Sequence, residues 1–339
     1  MSNYQRLRDL LDQGISPYQA LLDSGINPQE LQQFRIHLIR EIQTVTGRPL
    51  IVYAAHFSRG AEVGQNTLNV DDKLGFADAM RGVQGTAVDV LLHSPGGSAE
   101  VAEQLAQVLR ATFQGVRFVI AYAAKSAATM LALSGDKLLM DERSELGPID
   151  PQIVMLTPNG PILVPAQTIL DGFEHAREII QKEGASALPA FLPMLNKYDL
   201  HTFELCKNST KLSMNLVKGW LAQYMFNNRS SKVRDARRVA AHLCAHRRLL
   251  SHARPIGIEQ CLELGLEVED LRKQPELREK IWQLHSAYQF LFDKTPAVKI
   301  YENTFGTSWM RLFAMQQVVL QPPPSVIPQP PPPTSPPQA

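Results

Sequence analysis

Between residues 87 and 151 strand-sized apolar runs alternate with helix-sized amphipathic ones, and this alternation restricts the fold more than any other feature of the chain. Val88-Asp89-Val90-Leu91-Leu92-His93 has the pattern of a buried strand, and it ends in the turn Ser94-Pro95-Gly96-Gly97. Ser98 stands where a helix cap is needed. After it Val101, Leu105, Val108, Leu109 and Thr112 recur at helical spacing. Residues 116–122 form the next strand. Ser126 opens a helix of small residues that ends at Gly135, and Lys137-Leu138-Leu139-Met140 returns a short strand before the rigid turn 144–151. With the β-branched run 49–55 ahead of it, this order implies βαβ units. The fold expected is α/β, a mostly parallel sheet with helices on its faces. Ligand sites in such sheets lie beyond the carboxyl ends of the strands, where Gly96, Gly97 and Ser126 all fall.

The flanks are helical. Residues 1–45 carry apolar stripes (Leu7, Leu10, Leu11, then Leu31, Phe34, Leu38, Ile42) and read as an N-terminal arm. Asp71 and Asp72 are adjacent carboxylates, read as caps of a helix over about 73–82 rather than metal ligands. A helical insertion is expected over about 165–250, with long helices at 199–226 and 229–248. The second of these is rich in arginine but lacks interleaved aromatics, and it reads as a solvated face rather than a nucleic-acid surface. A short helix ends at Gly265, another opens at Pro275-Glu276, and residues 297–318 read as a strand and a short helix. The expected organisation is an arm at 1–45, a main domain at 46–318 and a tail at 319–339. Ten prolines within residues 322–339 make that tail disordered or polyproline II, suited to docking a partner.

Composition narrows the function classes. A formal net charge of +1 gives no general attraction to nucleic acid or anionic membrane. No apolar run reaches membrane-span length and the first residues have no signal-peptide core, so a cytoplasmic location is expected. Cys206, Cys244 and Cys261 form neither a disulfide framework nor a zinc signature. His242 and His246 have the i, i+4 spacing of a metal pair, but no third ligand accompanies them, and no metal or other cofactor is expected. His93, at the strand end, suits either substrate contact or a structural role.

An acyl-transfer serine needs a sharp turn, a base and amide donors for the developing oxyanion. Ser126 meets the first need by position, and Gly96 and Gly97 allow the close backbone approach that such amides require. On residue types alone a bland alternative stays open: Ser126 as a helix N-cap and the glycines as a plain turn.

Four motifs in fixed order weigh on that choice: SPGGS, AAKSAATMLALSGD, SELGPIDPQI and RPIGIEQCLELGL. Together they resemble the Clp-protease/crotonase superfold and, more closely, the bacterial serine dehydrogenase proteinases, relatives of the Clp proteolytic subunit and of signal peptide peptidase. The resemblance covers roughly residues 45–310 and implies a spiral of ββα units. It also implies a nucleophile at Ser126, oxyanion amides at Gly96 and Gly97 with help from Ala127, a peptide or protein substrate and a homo-oligomeric ring. The proton acceptor departs from the Clp pattern, with Asp150 where a His is expected and His252 where an Asp is expected. The reading drawn is an exchanged triad, Ser126–His252–Asp150. The competing reading is the Ser–Lys dyad of the signal peptide peptidase branch, whose lysine would fall about where Gln167 stands; of the lysines present, Lys125 is badly aimed, and Lys182 and Lys197 come later. Two further classes are carried: a catalytically inactive binding scaffold of the Clp fold, and a crotonase-like acyl-CoA enzyme, for which Glu100 and Glu103 are the acids after the glycine pair.

Overall fold

The runs at Leu50–Ala55 (β1) and Ala87–His93 (β2) lie side by side in parallel, Tyr53 opposite Leu92 and Ala54 opposite His93. Every residue of β1 is buried, as a strand covered on both faces must be. The computed structural model describes residues 2–59, 64–157, 160–195 and 197–313; the proline-rich tail expected from residue 319 lies outside them. Along the chain follow β3 (Gly115–Val119), β4 (Ala123–Ala124), β5 (Lys137–Met140), β6 (Glu145–Leu146), the hairpin β7 (Gln152–Thr157) and β8 (Gly160–Pro165), β9 (Ile256–Gly257), β10 (Val268–Asp270), β11 (Ala297–Asn303) and β12 (Ser308–Leu312). The main sheet has the order β10-β5-β3-β2-β1-β11-β12. From β10 to β1 it is parallel, and β11 and β12 close the other edge antiparallel. A three-stranded sheet, β4-β6-β9, stands beside it.

Alternate residues of the central strands go to opposite faces. On one face Ile51, Tyr53, Val88, Val90, Leu92, Val116 and Phe118 meet the helices α4 (Asp72–Met80), α5 (Ala99–Thr112), α6 (Ala127–Ala132), the distal half of α9 (Leu200–Gln223), α10 (Lys232–Cys244) and α12 (Ile258–Glu263). On the other, Leu50, Val52, Ala54 and Leu91 meet α1 (Asn3–Asp12), α2 (Pro17–Ser24), α3 (Pro28–Thr46) and α13 (Pro275–Lys294). The N-terminal helices thus share a core with the sheet. They are tied to it by a buried ion pair in which Arg35 Nε and Nη2 donate to the Glu302 carboxylate at 3.1 and 3.0 Å. The remaining helices, α7 (Ala166–Glu183), α8 (Leu188–Leu195) and α11 (His246–Leu249), belong to the helical insertion.

Several elements differ from expectation. The strand expected over 116–122 stops at Val119, and the chain turns before β4. Residues 297–318 hold two strands over their described part, because Gly306 at φ +91° closes a turn in which the Asn303 amide donates to the Thr307 carbonyl at 3.1 Å. The β7–β8 hairpin was not anticipated. One face, with Ile153, Met155 and Val164, packs on Ala166, Ile169, Phe203 and Cys206. Val154, Leu156 and Leu163 on the other face are 60%, 84% and 62% exposed. Among the described residues no helix is long and apolar enough to cross a membrane.

Candidate active site

β2 delivers the turn Ser94–Gly97 to the carboxyl edge of the sheet, and β4 delivers Lys125 and Ser126 beside it. The two segments are laced together: the Ser94 amide donates to the Ala123 carbonyl and the Lys125 amide to the Ser94 carbonyl, each at 3.0 Å. Ser126 precedes α6 with φ 51° and ψ −123°, and its side chain makes no hydrogen bond to the first-turn amides. The N-cap alternative is therefore not what the structure shows. A non-glycine residue held there is strained by about 1–3 kcal/mol. Gly96 packs directly against it: a Cβ on Gly96 would stand 2.4 Å from the Lys125 carbonyl oxygen and 2.7 Å from Ser126 Cβ.

The two glycines are not equivalent. The Gly96 amide donates to Ser94 Oγ at 3.2 Å and so faces inward. This differs from the expectation that both glycines offer amides to a ligand. The Gly97 and Ala127 amides have no acceptor among the described residues, Ala127 because it is the first residue of α6. Leu68 bridges Gly97, its amide donating to the Gly96 carbonyl at 2.7 Å and its carbonyl accepting from Ser98 at 3.0 Å.

Asp150, 2% exposed, accepts hydrogen bonds from two histidines. His252 Nδ1 lies 2.9 Å from Oδ1 and His246 Nδ1 lies 2.9 Å from Oδ2. For the carboxylate to accept, each Nδ1 carries its proton, which leaves Nε2 as the basic nitrogen. Among the described residues, two non-glycine residues have positive φ, Ser126 and Leu250. Leu250 ends α11 and turns the chain between the two histidines. The buried carboxylate also reaches Cys244, whose thiol is pushed up to about 12, first by burial and then by the Asp150 charge.

Ser126 and His252 line one cavity of about 1060 Å³, together with Gly97, Ala127 and Glu100. No hydrogen bond joins Ser126 to His252. The outer face of the β7–β8 hairpin, through Val154 and Leu163, forms another wall. Lys125 is turned away from this cavity, its Nζ 2.7 Å from Glu145 and 3.1 Å from the Leu146 carbonyl. Lys182 and Lys197 are exposed and do not line it.

His246 was not foreseen as an Asp150 partner. The i, i+4 pairing with His242 fails because the helix breaks at Ala245 (φ −83°, ψ 81°), which turns His246 toward Asp150 and leaves His242 beside Arg248 at 3.3 Å. Among the described residues no group of three or more His, Cys, Asp or Glu side chains is arranged to hold a metal ion. His93 is buried, stacked on Phe57 at 4.7 Å between ring centroids, and faces Gln289. It packs among aromatic rings and does not line the cavity. Arg229 and Arg247 of the arginine-rich segment pair internally with Glu267 and Asp171.

Two uncharacterized proteins of Methanocaldococcus jannaschii are similar: MJ0137, 24% identical over 259 residues (74% of this chain, 79% of the relative), and MJ1495, 25% identical over 191 residues. The second match spans 54% of this chain and 63% of the relative, less than two thirds of its length. A solved structure, a serine-to-alanine mutant of the 1510-N membrane-bound stomatin-specific protease, is 18% identical over 37% of this chain and 63% of its own. The TM-score is 0.26, too small an overlap to bear on the fold. The region holding the glycine pair, Ser126 and Asp150 has a family match: residues 20–183 fit the ClpP-like SDH-type serine proteinases, the family that the ordered motifs resemble.

Proposed function

We propose that the protein is a serine peptidase of the Clp/crotonase superfold that cleaves peptide bonds through an acyl-enzyme on Ser126. The observation that carries this reading is the pairing of a strained, uncapped Ser126 with a cavity-lining His252 whose Nδ1 is fixed by buried Asp150. In the reaction His252 Nε2 takes the Ser126 Oγ proton as Oγ attacks the substrate carbonyl. The Gly97 and Ala127 amides donate to the resulting oxyanion, and the positive end of α6 adds to that field. The tetrahedral intermediate collapses, the C–N bond breaks and His252 returns the proton to the departing amine. Water then repeats the sequence and releases the acid. Asp150 keeps His252 in the tautomer with a basic Nε2 and stabilises the imidazolium that forms. A homo-oligomeric ring, a cytoplasmic site of action and a partner for the proline-rich tail belong to the same proposal.

Purified protein should hydrolyse unstructured peptides and react with a fluorophosphonate. Ser126→Ala should lose both activities, and His252→Gln should lose several orders of magnitude in rate, on the order of 10⁴ or more. Retention of peptidase activity by Ser126→Ala would refute the proposal.

One contact favours a second reading. Glu100 lines the same cavity, held by Ser98 Oγ at 2.7 Å, and is the acid a crotonase-like acyl-CoA enzyme would use. That reading predicts coenzyme A binding by calorimetry and turnover that survives Ser126→Ala.

A further inference from the structure

The described residues contain a buried ion pair outside the cavity, and its hydrogen bonds lead to Gly97. Lys299, on β11, and Asp72, at the start of α4, are both 0% exposed. Lys299 Nζ lies 2.8 and 3.1 Å from the two Asp72 carboxylate oxygens. Burying such a pair is close to neutral or unfavourable for stability, because desolvation of the two charges offsets their attraction. Its geometry indicates another role. Lys299 Nζ also donates to the Thr67 carbonyl at 2.6 Å, and Asp72 Oδ2 accepts from the Asn69 amide at 2.6 Å. Thr67 and Asn69 flank Leu68. The pair therefore grips the backbone on both sides of Leu68, the residue that bridges Gly97 among the described residues.

Leu68 in turn holds the turn on both sides of Gly97, through the Gly96 carbonyl and the Ser98 amide. The fit is tight: a Cβ on Gly97 would stand 2.4 Å from the Leu68 carbonyl oxygen and 2.5 Å from its nitrogen. With its neighbours held on that side, the Gly97 amide is left without an acceptor. Tyr301 donates to Asp72 Oδ1, so the carboxylate is fixed from three directions.

We infer that Lys299 and Asp72 are positioning residues for the oxyanion site: a buried clip that clamps residues 67–69 and through Leu68 sets the direction of the Gly97 amide. The inference rests on the reading of Ser126 and Gly97 given above. It adds two residues that touch no substrate and lie about as deep in the fold as any charged group can. Lost oxyanion alignment should lower kcat and leave KM nearly unchanged, since the oxyanion exists only along the reaction path.

The test uses the full chain with Lys299→Met and Asp72→Asn combined, so that neither partner is left as a lone buried charge. Wild type and variant are compared on an N-acyl-alanine methyl ester and on its thionoester, whose sulfur is a poor hydrogen-bond acceptor. The expected result is a fall in ester kcat of roughly 100-fold with KM within about two-fold, and a much smaller fall on the thionoester. A folded variant with wild-type kcat, or with equal losses on both substrates, would overturn the inference. Should the variant not fold, hydrogen exchange on wild type decides. Fluorophosphonate occupancy of Ser126 should slow exchange of the Leu68, Asn69 and Ser98 amides, and unchanged exchange there would refute the clip. Wild type that turns over neither ester and takes no fluorophosphonate refutes the peptidase reading itself, and the clip with it.

Discussion

Adding one methyl group at Gly96 probes the contact on which the candidate site depends. In Gly96→Ala the new Cβ would fall 2.4 Å from the Lys125 carbonyl oxygen, 2.7 Å from Ser126 Cβ and 3.1 Å from the Ala127 nitrogen. An ordinary carbon–oxygen contact is about 3.3 Å, so the Gly96 and Ser126 backbones must separate by about 1 Å. Neither side has a flexible end to yield, because these neighbours are backbone or Cβ atoms. Gly96 also sits at φ +97°, which alanine adopts only under strain. Backbone strain and overpacking cost about 1–3 kcal/mol each, giving a destabilisation of about 2–6 kcal/mol. A displacement of about 1 Å at a nucleophile lowers rate by roughly 100-fold. Urea unfolding followed by circular dichroism reads the first quantity, and the rate of fluorophosphonate labelling of the folded fraction reads the second. A variant with an unchanged unfolding midpoint and a labelling rate within about two-fold of wild type would refute the packing argument.

Other perturbations separate strain, charge and orientation. Ser126→Gly should be more stable than Ser126→Ala by about 1 kcal/mol in urea unfolding, since glycine relieves φ 51° at a smaller entropic cost; equal stabilities would show that the backbone there is not strained. His285 is held down to about 4, by burial first and then by the Arg143 charge, and burial likewise holds His93 well below its ordinary value. For such groups stability is complete above the unfolded value near 6.5 and is lost as pH falls toward 4, because the unfolded chain takes up the protons first. His285 alone should remove about 3 kcal/mol across that window, and an unfolding midpoint flat from pH 7 to 4.5 would contradict this. His246→Ala leaves one oxygen of buried Asp150 without its partner and should cost about 1–3 kcal/mol in stability, while lowering kcat far less than His252→Gln does; the reverse order of rates would exchange the roles of the two histidines.

The parallel core was legible because its signals are local. Continuous apolar runs such as Leu50–Ala55 and Ala87–His93 have few ways to be buried except between two helical layers. The place of Ser126 and the glycine pair followed from turn chemistry at the ends of those strands. What the sequence hid depends on contacts between distant segments. Asp72 reads as a cap by type and position, yet its carboxylate is taken by Lys299 and Tyr301, from a strand more than 200 residues away. His242 and His246 read as a pair on one helix face, which holds only if the helix is continuous, and it breaks at Ala245. The β7–β8 hairpin was obscured by Pro161 and Pro165, which resemble breakers but fall where an exposed two-stranded ribbon tolerates them. The closeness of Asp150 and His252 came from motif order and a family resemblance, since no spacing rule relates residues on a turn and after a distant helix.

The catalytic pairing of Ser126 with His252 can be tested by peptide mapping by mass spectrometry of the protein after fluorophosphonate treatment, run in parallel on wild type and His252→Gln. It predicts a single adduct on the peptide containing Ser126 in wild type, forming at least about 10³-fold more slowly in His252→Gln. An adduct on another residue, or equal rates in the two proteins, would contradict it.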